Sequence, residues 1–417
     1  MTKIGGSEIQ NGESWDTAFF AVQLQHAIDI APLNYNGSPS LTNVIIRHNA
    51  PSSPDNPNFM GGGFTSFVGN QTMSNVTIRE NEDGGLYVST GSLTMYDSTI
   101  TQNISYTSGA GISMNNSERV LSNVTISENE ARGESGFGLG GGIYSTGSGA
   151  GSTLTLTDVS VTGNRANTSG GGLHTSYTVL TLTNVTIDGN TAKDGFAGGI
   201  FSANAKVTMT NAKIVGNSAT EEGGGILLRY SGSAEPPEMT LTNVLISGNK
   251  AETGGGLYMH TVAPVLTNVT IAGNAATVEG GGMYVGFKST PFVRNTIIWG
   301  NTAGSAPAVY KYPTASANAD FSHSLIEGAY NGDVWNISLG TDGGNNIDAD
   351  PQFVDFQLIA SRPQMATIGL RMDRRQSTRG TTTYTRAGRR RICPRSRPNW
   401  RAIRANATTR STWAPMK

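Results

Sequence analysis

Apolar positions along this chain fall two apart in short bursts, and each burst closes on an asparagine. LTNVTIAGN at 266–274 recurs as LTNVTIDGN at 182–190, LTNVLISGN at 241–249, LSNVTISEN at 121–129 and MSNVTIREN at 73–81. In Val185-Thr186-Ile187 the apolar residues are two apart and β-branched, the period of a strand with one buried face. A second phrase follows each first one: GGGIY at 140–144, GGGIL at 223–227, GGGLY at 254–258 and GGGMY at 280–284, with weaker forms GGLY at 84–87 and AGGIF at 197–201. Short alternating runs such as TLTLT at 153–157 and VTMT at 207–210 then lead back to the first phrase.

Every copy holds an Asn or Asp six residues before a second Asn. The first members are Asn43, Asn75, Asp97, Asn123, Asp158, Asn184, Asn211, Asn243, Asn268 and Asn295. The second members are Asn49, Asn81, Asn103, Asn129, Asn164, Asn190, Asn217, Asn249, Asn274 and Asn301. The period between copies runs from 22 to 35 residues while the six-residue gap is constant, so insertions fall outside this element. Such a unit buries almost nothing alone and must stack on its neighbours. The expected fold is all-β, a single-stranded parallel β-helix of about ten coils at about 4.8 Å each. Recurring Asn suits a left-handed bend with its amides stacked in a hydrogen-bonded ladder, and the glycine blocks suit corners of close backbone approach.

These phrases resemble the right-handed parallel β-helix repeats of bacterial surface proteins. They are similar to polymorphic outer-membrane-protein repeats and to β-helix proteins with a choice-of-anchor Q region. The resemblance spans about Ser40 to Asp355. It implies an extracellular or outer-surface location in a bacterium. By the same resemblance, 11–31 is a short helical cap on the first coil, with Gln23, His26 and Asp29 on its polar face. Residues 1–32 are then a cap remnant, 33–356 the β-helix and 357–417 a basic tail. The family places further strands after this opening and a signal peptide before it; neither stands here, which makes an incomplete start the expectation.

Composition changes the picture mainly at the tail. Gly is 54 of 417 and charged residues 14%, while one cysteine, Cys393, excludes a disulfide framework and a cysteine zinc site. No run reaches the roughly 18 apolar residues of a membrane helix. From Gln357 onward there are 14 Arg, one Lys and one acid, Asp373, so the net charge of −1 divides into +14 there and −15 before it. Where the family continues with phrases such as GSPAID and GAYE, this chain does not. Reading each third codon base with the next two turns Met365-Ala366, Met372-Asp373 and Trp413-Ala414 into Gly and Met416-Lys417 into Glu. Those are the letters the family phrases require, so the tail is expected to be an out-of-frame, disordered translation, not a nucleic-acid binder.

Candidate chemistry is sparse. Arg47, Arg79, Arg119, Arg132, Arg165, Arg229 and Arg294 lie on different coils, and Glu221-Glu222 and Asp83 precede glycine blocks as turn residues. No concentrated acid–base set is visible, so no catalytic residue, cofactor or metal ligand is expected. His174 and His260 occupy similar positions three coils apart, roughly 14 Å at that rise, too far for one metal. Asp342, Asp348 and Asp350 lie in the loop TDGGNNIDADP, which has the oxygen-rich make-up of a Ca²⁺ loop but reads first as a polar turn. Sequons such as Asn75-Val76-Thr77 follow from the repeat and carry no glycosylation inference. Tyr87, Tyr144, Tyr258 and Tyr284 share one position after the glycines: outward they form a strip for sugar rings, inward they are packing. The expected function is non-catalytic adhesion or display, with glycans or matrix components as partners. The alternative is a β-helix polysaccharide lyase or glycoside hydrolase.

Overall fold

The computed structural model describes residues 37–49, 62–133, 136–147, 152–314 and 316–353, together with four short strands before residue 35. The basic tail and His26 lie outside the described residues. Every described strand but those of one hairpin pairs in parallel with the strand one coil away, so the chain winds as a single-stranded parallel β-helix.

Each coil has three sides. The first is a bent sheet whose two arms meet at the first Asn of the pair, as in Val179–Thr183 and Thr186–Asp188 around Asn184. The second, the short sheet, is a seven-stranded sheet of mostly two-residue strands such as Thr191–Ala192. The third is a twelve-stranded sheet, called the long sheet here, built from the strands after the glycines, such as Ile200–Ala203. The register stacks like on like. Met95, Leu121, Leu156, Leu182, Met209 and Leu241 form one inward column, and Ile100, Ile126, Val161, Ile187, Ile214 and Ile246 another. All twelve are fully buried. Alternation within each strand puts these side chains inside and the threonines outside.

The short sheet has no counterpart in the expected coil. Its inward residues are small: Ala131, Ala166, Ala192, Ala219, Ala251 and Ala276, each two positions after a ladder asparagine. A two-residue strand with a methyl core lets the chain turn sharply without opening a void.

The expected helical cap is corrected. Ala21–Gln23 and Ala27–Ile28 are strands, paired in parallel with Ser40–Thr42 and Ile45–Arg47. Strand pairing satisfies the backbone groups of the coil edge, which a helix leaves open. Val22 and Leu24 alternate with Gln23 and Gln25, the strand period. At the far end a small antiparallel hairpin, Tyr330–Asn331 with Val334–Trp335, lies against the core. Trp335 meets Phe321 and Tyr330 at centroid distances of 6.1 and 5.5 Å.

Candidate functional site: a ladder, a stack and a groove

The asparagines form two columns with different geometry. The second members are buried, and each Nδ2 donates to the Oδ1 one coil on, from Asn49 to Asn81 at 2.8 Å through to Asn274 to Asn301 at 3.0 Å. The other Nδ2 hydrogen goes to an Ile or Val carbonyl of the preceding coil, as from Asn217 to Ile187 at 3.0 Å. The left-handed bend is elsewhere. It falls on the first members, such as Asn184 at φ 56°, and on the residue before the second, such as Gly189 at φ 62°. Both bends precede the second Asn, whose own side chain is buried under the turn. The first members make a looser exposed column, with Asn75 to Asn43 at 2.6 Å and Asn211 to Asn184 at 3.2 Å.

The glycine corner is cut to this ladder. Gly254 has φ +63°, a Cβ on Gly255 would meet the Ala275 carbonyl oxygen at 2.4 Å, and one on Gly256 would meet Asn274 Nδ2 at 3.0 Å. The two repeated phrases are therefore one device in three dimensions.

The residues after the glycines answer the question left by the sequence. Tyr144, His174, Phe201, Leu227, Tyr258, Tyr284 and Tyr310 are register partners on the outward side of the long sheet. Tyr87 lies at the same position earlier in the rod. Outward does not mean available, because the rings stack on one another: His174 on Phe201 at 4.4 Å, Tyr258 on Tyr284 at 4.6 Å and Tyr284 on Tyr310 at 4.8 Å. Tyr87, Tyr258, Tyr284 and His174 are all buried, and the last three have ring faces already occupied. His174 has Ser169 Oγ at 3.2 Å, and full burial pushes its imidazole down to about 3.

His174 and His260 do not occupy equivalent positions. His174 pairs with Phe201 at the second place of its strand, whereas His260 pairs with Arg229 at the fourth. That pairing brings together side chains the linear sequence scatters. Arg229, Tyr230, Ser231, Gly232, His260, Thr261, Phe287 and Lys288 line an open groove of about 370 Å³ on the long-sheet side. Ser231 and Gly232 belong to the insertion that lengthens this coil to 32 residues between Asn217 and Asn249. Phe287 is 40% exposed, with Lys288 Nζ 5.3 Å from its ring centre and the His260 ring 6.2 Å away. Arg229 Nη2 lies 3.8 Å from Glu222 Oε2. Burial pushes the Glu222 carboxyl above its ordinary range, and burial together with that carboxylate raises the Tyr258 phenol. Burial and the Arg229 charge lower His260, whose Nδ1 lies 3.1 Å from Thr261 Oγ1. Glu222, Arg229, Tyr258 and His260, which the linear sequence scatters, are thus gathered on one face. Arg229 and His260 are about one coil apart in sequence and meet through strand register.

The remaining candidates have local partners. His48 pairs with Glu80 at 2.9 Å and His323 Nε2 lies 3.0 Å from Asn345 Nδ2. Asp342 Oδ1 accepts from Gly344 N and Asn346 Nδ2, and Asp350 Oδ1 from Gln352 N, so these carboxylates close their own turns. Among the described residues no group of three His, Cys, Asp or Glu converges as a metal site. Nor is any helix there long and apolar enough to cross a membrane.

Residues 25–159 match the family model described as a right handed beta helix region. The parallel register continues past that match to the Asp320–Thr341 pair, so the right-handed β-helix extends through the body of the chain. No curated protein and no solved structure matches this chain.

Proposed function

We propose that the chain is a non-catalytic extracellular or cell-surface β-helix rod that serves adhesion or display by holding a glycan in the Arg229–His260–Phe287 groove. The observation that carries this reading is the lining. One exposed aromatic ring, Phe287, stands beside the charged donors Arg229 and Lys288, with the Ser231 and Thr261 hydroxyl oxygens as acceptors on the same rim. Sugar rings offer an apolar face and a rim of hydroxyls, so an aromatic platform with nearby donors is complementary to them. The surface location rests on the likeness of the repeats to polymorphic outer-membrane-protein and choice-of-anchor Q proteins.

Glycan-array screening of the full chain, followed by titration calorimetry, tests this. Phe287→Ala and Arg229→Ala are each expected to weaken the best ligand about tenfold, the equivalent of about 1.4 kcal/mol. Unchanged affinity in both variants, or no glycan bound, rejects the groove.

A second reading, a β-helix polysaccharide lyase or glycoside hydrolase, draws on the Glu222 carboxyl, raised by burial and set against Tyr258 and Arg229. A carboxyl raised in this way holds its proton to higher pH than an ordinary glutamate, the direction a general acid requires. New reducing ends or unsaturated uronyl products that vanish in Glu222→Gln would replace the non-catalytic reading.

A further inference from the structure

A guanidinium sits inside the rod, away from the groove. Arg119 takes an inward position of the strand Ser117–Ser127, in the column where the adjacent coils place Leu93 and Leu154. It is 0% exposed. The facing long sheet makes room for it: Met114 gives way to Ser145, Thr175 and Ser202 before Leu228 restores the bulk.

Its hydrogen bonding is incomplete. Nη1 donates to Ser145 Oγ at 3.1 Å and to the Thr153 carbonyl at 3.5 Å, while Nε and Nη2 are buried without a partner. The hydroxyl of Ser152, the residue before Thr153, is likewise buried and unpartnered. Among the described residues no carboxylate pairs with Arg119. Burial lowers its pKa only to about 10, so the cation persists at neutral pH.

Guanidinium N–H groups can only donate. A water here would accept from them but bring two hydrogens needing acceptors of their own. An anion accepts from every side and supplies the countercharge that a buried, unpaired cation requires. We propose that the interior beside Arg119 binds a small monovalent inorganic anion of the halide class, held by Nε and Nη2, with the Ser152 hydroxyl as a further donor.

The test is thermal unfolding of the full chain in chloride against gluconate at equal ionic strength. One bound ion makes the unfolding constant fall about tenfold for each tenfold rise in chloride above its dissociation constant. Arg119→Met, which fills the column with an uncharged side chain, is expected to erase that dependence. Equal unfolding in the two salts, or a chloride effect that survives in Arg119→Met, overturns the proposal. Should that variant not fold, crystals of the unaltered chain grown in bromide decide. An anomalous peak within hydrogen-bonding reach of Nε and Nη2 supports the site, and density there without anomalous signal means water and overturns it.

Discussion

Asn217 shows what one position in the ladder does. Its Nδ2 donates to Asn249 Oδ1 and to the Ile187 carbonyl, while its Oδ1 accepts from both the backbone N–H and Nδ2 of Asn190. Asparagine alone offers two donors and a two-lone-pair acceptor on so short a stem. Removing it strands groups on two neighbours, each unsatisfied group costing about 1–3 kcal/mol. Asn217→Ala is therefore expected to destabilise the rod by more than about 3 kcal/mol in denaturant unfolding. Asn49→Ala should cost clearly less, because its Oδ1 has no partner to lose. Equal costs at the two positions would mean that the ladder contributes through shape and not through hydrogen bonds.

At the scale of the element, the stack on the long sheet makes the rod sensitive to acid. His174 lies between Tyr144 and Phe201 and is held neutral by burial, with its pKa near 3 against an ordinary value of about 6.5. A depressed histidine means that the unfolded chain binds the proton first. Its contribution is thus whole above about pH 6.5 and shrinks as pH falls toward 3, by about 1.4 kcal/mol per unit. His174→Phe keeps the stack and removes the proton site. Between pH 6.5 and 5 the parent should lose about 2 kcal/mol more than this variant in chemical denaturation. Parallel stability curves would show that His174 is solvated enough to protonate in place.

Much of the element was legible in the sequence. The six-residue Asn spacing marked the arms of the bent sheet, and the GGG phrase marked the corner. The short second side was not read, because a two-residue strand such as Thr191–Ala192 is too short to announce a period, although Ala recurs two positions after each ladder Asn from Asn129 to Asn301. The groove was not legible. Arg229 and His260 are neighbours only because Leu227 pairs with Tyr258, and no local pattern states which residue faces which one coil away. Arg119 is inward because alternation in Arg119-Val120-Leu121 sets it on the same face as Leu121, against the usual preference of arginine for solvent.

For the whole molecule, stability is a sum of like interfaces between like coils. The ladder step from Asn190 to Asn217 is 27 residues. Deleting residues 191–217 joins Asn190 to Ser218 and restores every column, so the shortened rod should fold with parallel-sheet circular dichroism and a modestly lower midpoint. Deleting 191–207 removes fewer residues but breaks the register, and should leave a chain that limited proteolysis degrades. A stable 191–207 deletion would show that coils tolerate slippage and that the columns do not dictate the pairing.

The amide ladder also has an electrical direction. Every carboxamide of the buried ladder from Asn49 to Asn301 points the same way, oxygen toward the earlier coil and N–H toward the later, while the exposed first-member column points the opposite way. Aligned hydrogen bonds polarise one another in the same sense. Their dipoles add head to tail, as peptide dipoles do along a helix. The buried column alone is therefore negative toward Asn49 and positive toward Asn301, and the exposed column opposes it. The rod thus carries two opposed lines of dipoles, one dry and one at the surface, and water screens the outer line more than the inner.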